Sequence, residues 1–184
     1  VGAGVQSCAT VVMYKIKRIT SEYIDTEDRI RLIGLTEDGK THALWFTLRL
    51  TNRLVVHCLN LLDQLSPEIN KSAIDAQSRN DVQNLVQQSA TRQIVEEPPV
   101  EMERDSFDFL VQEIDVSYTP EAVLMSFRDP VKKGYELQLD LQQLRQWLAM
   151  LYVIWQKAEW PTEIWPDWMV ENKTELNVRE SPIH

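Results

Sequence analysis

The stretch YELQLDLQQLRQWLAMLYVIW, residues 135–155, predicts a short strand that turns directly into a helix. Tyr135, Leu137 and Leu139 alternate with polar residues, which is the period of a strand. Asp140 then stands at the position of a helix cap, and the apolar residues after it recur at helical spacing. This strand–cap–helix corner is the feature from which the second half of the chain can be aligned outward.

A second stretch, KTHALWFTLRLTNRLVVHCLNLLDQ at residues 40–64, has the same order of features. Thr47 takes the cap position, and Asp38-Gly39 ahead of the stretch is a strong hairpin signal. The apolar positions match at a fixed offset: Leu44, Phe46, Leu54, Cys58 and Leu62 align with Leu137, Leu139, Trp147, Leu151 and Trp155. Few residues are identical, but the matching caps and apolar phases indicate a duplication or a pseudo-twofold architecture.

The predicted fold class is α+β: two pseudo-repeated β-β-β-α halves with a mostly antiparallel sheet, in one compact domain. The halves occupy residues 13–65 and 106–159, and residues 1–12 form an N-terminal extension. The second half is expected to open with one strand over residues 106–118, in which the alternation slips by one residue between Val111 and Ile114 as at a β-bulge. Ser66-Pro67 is expected to stop the first helix or to start another. Residues 66–105 are a helical and acidic insertion, in which a helix is expected around residues 81–93. Residues 160–184 are an irregular strap rich in tryptophan and proline that ends in a polar tail.

Composition describes a folded, acidic protein. Of 184 residues, 43% are apolar, and 28 acidic residues against 19 basic ones give a net charge of −9. No apolar run has the length of a membrane-spanning helix. Cys8 and Cys58 are the only cysteines and give no disulfide framework, so we expect a reducing, cytoplasmic location.

No sequence motif points to catalysis, a metal or a cofactor. The chain has only five glycines and lacks GxGxxG, GxxxxGK[ST] and GxSxG, which disfavours a nucleotide-dependent enzyme. His57 and Cys58 are neighbours, and adjacent residues of a helix point about 100° apart, so they do not form a shared ligand site. The carboxylates between residues 96 and 108 lack the spacing of a calcium loop and predict a solvated linker.

The tryptophans near the C-terminus are the first functional candidates. Trp160, Trp165 and Trp168 fall within nine residues, and with Trp155 they carry more apolar area than water tolerates. They either cover the chain's own helices or form a contact surface, where tryptophan is enriched. The sequence therefore favours a non-enzymatic protein that acts through contacts with another protein or with itself as a homodimer, with no membrane and no small-molecule ligand.

A basic strand face gives the alternative function. Lys15, Lys17, Arg18, Arg29 and Arg31 are the densest group of cations in the first half. Such a face either lies solvated or contacts phosphates, in which case the protein is a nucleic-acid-associated accessory factor. The negative net charge argues against this alternative, because phosphate-backbone binding needs clustered cations.

Overall fold

A computed structural model describes residues 12–66, 75–103, 106–129 and 133–170. The N-terminal extension up to residue 11, the second part of the Ser66-Pro67 helix stop and the polar tail after residue 170 lie outside these residues.

The described residues form a curled, mixed seven-stranded sheet and four helices, which agrees with the predicted α+β class. In chain order the elements are β1 (Val12–Ile24), β2 (Arg29–Thr36), β3 (Thr41–Phe46), α1 (Leu48–Leu65), α2 (Ala76–Arg92), β4 (Phe107–Leu110), β5 (Glu113–Tyr118), β6 (Ala122–Arg128), β7 (Lys133–Asp140), α3 (Leu141–Lys157) and α4 (Asp167–Val170).

The strand order across the sheet is β4-β3-β2-β1-β7-β6-β5. Four neighbouring pairs are antiparallel, and they make two meanders, β1-β2-β3 and β5-β6-β7. The pairs β1–β7 and β3–β4 are parallel. Each meander is followed by a long helix, α1 or α3. The derivation of the two halves from one repeated unit stays a prediction.

The first strand of the second half differs from its prediction. Residues 106–118 were expected to form one strand with a bulge-like phase slip, but the structure divides them into β4 and β5 at opposite edges of the sheet. Val111 N donates to Trp45 O on β3 at 3.0 Å, and Gln112 N donates to Arg128 O on β6 at 2.9 Å. Consecutive residues therefore bond to β3 and β6, which lie toward opposite edges of the sheet. This requires the sheet to curl until its edges approach each other here. Curling, which sequence alternation does not report, caused the error.

The predicted turns and caps are confirmed. Gly39 has φ +83°, a left-handed conformation that glycine adopts without steric cost, and it closes the β2–β3 hairpin. Leu50 N donates to Thr47 Oγ1 at 3.3 Å at the start of α1. Asp140 and Gln143 form a reciprocal capping box at the start of α3. These local signals fix where each strand becomes a helix.

The core lies between the sheet and helices α1 and α3. Leu54, Cys58 and Leu62 of α1 are buried, as are Trp147 and Trp155 of α3. The aromatic positions of α3 therefore belong to the core, as their alignment with the smaller apolar residues of α1 predicts.

Helix α2 is docked on α3 through a buried arginine. Arg145 is 2% exposed, and its Nη2 donates to Ser66 Oγ at 2.8 Å and to Gln83 Oε1 at 2.6 Å. Gln87 Nε2 donates to Arg145 O at 3.1 Å. Asp75 caps α2, which therefore begins five residues before the predicted start near residue 81. The arginine is surrounded mainly by neutral acceptors, each of which helps to offset its desolvation.

The acidic end of the insertion is extended and crosses the outer side of the first meander. Val100 N donates to Thr20 Oγ1 at 2.8 Å, and Glu103 N donates to Thr41 Oγ1 at 3.0 Å. The long connection is therefore held against the sheet by its own backbone groups.

We predict that Gln83→Leu destabilises the protein by about 1–3 kcal/mol, because the change leaves the buried Arg145 and the half-buried Asp63 without their amide partner. Urea denaturation measures the loss. Gln77→Leu, which removes an exposed amide from the same helix, is the matched control and should change stability by less than about 0.5 kcal/mol. Equal effects of the two changes would contradict a role for the buried network.

Candidate functional site

The four tryptophans singled out in the sequence are buried against their own chain. Trp155 is fully buried, and Trp160, Trp165 and Trp168 are at most 6% exposed. Trp160 Nε1 donates to Asp28 Oδ1 at 2.8 Å, and Trp155 Nε1 donates to Pro161 O at 2.8 Å. The strap thus covers its own helices. A partner contact through these side chains remains a prediction that requires the strap to leave this position.

The predicted basic face is partly neutralised. Arg18 pairs with Glu97 of the acidic segment at 3.3 Å, and Arg31 pairs with Glu22 at 2.7 Å. Lys15 and Lys17 are exposed, and Arg29 is half-buried. The acidic segment and the basic face, which were separate candidates in the sequence, therefore meet in the structure, and the cationic surface left for phosphates is small.

Two groups with reactive chemistry lie in the core. Cys58 is fully buried, and desolvation raises the pKa of its thiol to about 12, so it packs as a small apolar residue. The Tyr135 hydroxyl lies 3.0 Å from His42 Nδ1, and burial, followed by the nearby Tyr14, raises the pKa of Tyr135 to about 12. Both His42 and Tyr135 are buried among aromatic rings, including those of Tyr14 and Phe109.

An accessible groove lined by basic, acidic and apolar side chains lies between α1 and β5. Its origin follows from the topology. Strand β3 runs parallel to β4, and at Thr47 β3 gives way to α1 while β4 continues into β5. Helix α1 therefore takes the place beside β5 that a strand would otherwise occupy. Because a helix uses its backbone groups internally, it offers no hydrogen bonds to β5.

We call this feature the β5 groove. Its main part, about 660 Å³, lies between four residues of α1 and the five consecutive residues 112–116. A second part, about 310 Å³, continues between the start of α1 and residues 110–112. Side chains of a strand alternate between its faces, so a groove that touches five consecutive residues borders the edge of the strand. In the part of the chain that the structure describes, no strand pairs with this edge.

The backbone groups at this edge can be assigned by parity. Thr119 N donates to Ala122 O at 2.8 Å and closes the β5–β6 hairpin. In an antiparallel pair every second residue bonds to the partner strand. Glu113, Asp115 and Ser117 therefore direct their backbone groups toward β6, whereas those of Ile114 and Val116 point to the open edge.

The rim of the groove carries three uncompensated basic side chains, which we call the basic stripe: Arg49, Arg53 and His57. They are four residues apart on α1 and exposed, and none forms an ion pair with another described residue. The carboxylates of β5 are engaged elsewhere, because both Glu113 and Asp115 pair with Arg128 of β6. The floor is apolar and includes Leu54 and Val116.

The sequence pattern did not reveal this site, although part of its signal is present there. Arg49, Arg53 and His57 recur every four residues, which places them on one helix face. They interrupt the apolar pattern of α1, and their common face was not weighed. The open edge beside them gave no sequence signal, because it depends on which strand β5 leaves unpaired.

No protein-family model, curated protein or solved structure matches this chain. Within the described residues, no helix is long and apolar enough to cross a membrane.

We predict that burial of Cys58 makes stability fall at alkaline pH. Its pKa is 9.0 in the unfolded chain and about 12 when folded, so the protonated thiol favours folding below pH 9, and this contribution is lost as pH rises toward 12. Over that range the free energy of unfolding should fall by up to about 1.4 kcal/mol per pH unit more in the native protein than in Cys58→Ala. Urea denaturation as a function of pH measures both. Parallel curves would contradict the prediction, since tyrosine titration is common to both proteins.

Proposed function

We propose that this protein is a non-enzymatic, cytoplasmic interaction module that binds an extended segment of a partner protein in the β5 groove. The segment adds to the sheet as an eighth strand between β5 and α1. The observation that carries the proposal is the open edge of β5 beside a groove, because unpaired strand edges are templates for pairing and an edge next to a helix is a recurrent peptide-binding arrangement.

The apolar floor of the groove supports this proposal over an incidental surface hollow. An exposed edge without a hollow beside it accepts any chain, whereas pockets for alternate side chains give selectivity. The β5 groove provides an apolar floor at Leu54, Ile114 and Val116, and these side chains contact or belong to the core. An added strand would therefore gain backbone hydrogen bonds at the edge, and the aliphatic stems of its inward-facing side chains would cover the apolar floor.

A comparison of the two halves strengthens the argument. We propose, as the sequence alignment indicates, that the halves are pseudo-repeats, so that Leu54 and Val116 correspond to Trp147 and Ser21. At the second corner, Trp147 Nε1 of α3 donates to Ser21 Oγ of β1 at 3.1 Å, so the indole ring occupies the space between helix and strand. The smaller Leu54 does not fill the corresponding space, and the β5 groove lies there.

The neighbouring surfaces differ between the halves in the same way. On α3, Gln146 Nε2 donates to Ala90 O of α2 at 2.9 Å, and the ring of Trp160 in the strap packs on Tyr23 of β1 with centroids 5.7 Å apart. The matching position on α1 is Arg53, which is exposed. The chain therefore covers the second corner with its own segments and leaves the first one accessible.

Binding of another protein is better supported than the alternative function, which is binding of nucleic acid. The basic strand face has lost Arg18 and Arg31 to ion pairs within the chain. A homodimer belongs to the same proposal, because a second copy is one possible source of the added segment. Light scattering at micromolar concentration tests it, and a dimer that dissociates on blocking the β5 edge would identify the second copy as the partner.

The proposal predicts effects of very different size on peptide affinity for two changes at one residue. Val116→Pro removes a backbone N–H that points to the open edge, whereas Val116→Ala shortens the side chain and keeps the N–H. Proline is tolerated where the N–H of an edge strand faces away from the sheet. Peptides selected from a displayed random library against the native protein should lose at least about tenfold in affinity for Val116→Pro, because one hydrogen bond is lost and the peptide acceptor is left unpaired.

The same peptides should bind Val116→Ala within about threefold of the native protein, since only part of one apolar contact is removed. Backbone amide shifts in NMR spectra of the labelled protein locate the binding, and those of Ile114 and Val116 should move most. Peptides that bind both variants alike, or that shift amides elsewhere, would overturn strand addition at β5.

A further inference from the structure

We propose that the segment taken by the β5 groove is acidic in a particular pattern, with carboxylates at every second position. This inference rests on the proposed function and specifies the partner that the same groove selects. Its basis is the match between the basic stripe on α1 and the periodicity of an added strand.

The two elements run side by side in the same direction. The Thr47 cap and the start of α1, up to Arg53, face residues 110–112. The residues of α1 from Leu50 to His57 that line the main part face residues 112–116. From Arg49 to His57 the helix rises about 12 Å, at 1.5 Å per residue. The strand from residue 112 to 116 covers about 13 Å, at 3.3 Å per residue. The basic stripe therefore runs beside residues 110–116, and Arg53 and His57 border the open edge of β5 itself.

The spacing of the charges also agrees. Neighbouring members of the basic stripe are four residues apart, which is about 6 Å along the helix. Side chains on one face of a strand are two residues apart, which is about 6.6 Å. Carboxylates at alternate positions of an added strand would each meet one member of the stripe. Adjacent carboxylates would not, because every second one would face the other side of the sheet.

The opposite face of the added strand meets a different environment. Ile114 and Val116 face α1 and the core, so the side chains of Glu113 and Asp115 lie on the outer face. A carboxylate of the partner next to these two would be repelled, because like charges directly opposite each other in a sheet are destabilising. Attraction toward α1 and repulsion on the outer face together select an alternating pattern.

The start of α1 adds to the attraction. The first turn of this helix has no acidic residue, and the N-terminal end of a helix carries a partial positive charge. Arg49 lies in this turn. The protein as a whole is acidic, with a net charge of −9. Its overall charge would therefore repel an acidic segment, and only the local basic stripe would attract it.

Three capped peptides of equal length test the pattern: Thr-Glu-Thr-Glu-Thr-Glu-Thr, the block isomer Thr-Thr-Glu-Glu-Glu-Thr-Thr, and the neutral Thr-Gln-Thr-Gln-Thr-Gln-Thr. The first two have the same composition and charge. Titration of the labelled protein at low salt, followed by amide shifts of residues 112–116, gives each affinity. We expect the alternating acidic peptide to bind about tenfold more tightly than either control, from exposed ion pairs with Arg49 and Arg53, and this advantage to shrink at high salt.

Matched variants assign the effect to the stripe. Arg53→Gln should weaken the alternating acidic peptide about threefold and leave the neutral peptide unchanged. Lys17→Gln removes the same charge from an exposed site on β1 outside the groove and should change neither affinity. Equal weakening by both variants would mean that only the overall charge acts, and it would overturn the inference.

The remaining outcomes separate this inference from the proposed function. If all three peptides shift the β5 amides with equal affinity, strand addition stands and carboxylate selection is wrong. If the block isomer binds as tightly as the alternating peptide, the alternation is wrong. If none of the three binds while library-selected peptides do add to β5, the inference fails alone. If neither set binds at β5, both fail.

Discussion

The arrangement of this protein depends on two consecutive backbone amides. Val111 donates to β3 and Gln112 donates to β6, although these strands lie toward opposite edges of the sheet. The two bonds require the sheet to curl until its edges approach each other. They also determine where the approach ends, because after Gln112 the chain follows β6 and leaves the side of β3. Beyond this point the seam between the edges is occupied by a helix on one side and a bare strand edge on the other.

The same type of seam occurs at the parallel β1–β7 pair, and the chain covers it differently. There β7 gives way to α3, whose Trp147 reaches across to β1, and the strap packs beside it. Helix α2 covers the outer side of α3 through the buried Arg145 network. Helix α2 of the insertion and the strap therefore share one structural role, which is to cover the second corner. Because α2 and the strap occupy the second corner, the exposed basic stripe and the open strand edge lie at the first corner.

The buried positions show how far local patterns are sufficient. The apolar periods of residues 48–65 and 141–157, the Thr47 and Asp140 caps and the turn at Gly39 were all visible in the sequence, because each depends on residues within one or two turns of each other. The tryptophans were visible as large apolar groups needing cover, and the structure supplies that cover from α3 and β1. By contrast, the phase slip near Val111 was taken for a bulge. Alternation reports the face on which a side chain lies and carries no information on which strand lies beside it.

The features of the candidate site fall into the same two groups, local sequence patterns and long-range contacts. The sequence by itself determined the basic stripe, because residues four apart on a helix share a face wherever the helix lies, and it determined that Cys58 and Leu54 face inward. Only the tertiary structure decided that the stripe borders an open strand edge, since this requires the exchange of partners at Val111 and Gln112. The physical reason is the range of the interactions. Caps and apolar periods arise from neighbours in the chain, whereas an unpaired edge is a property of strands far apart in sequence that the curled sheet brings together.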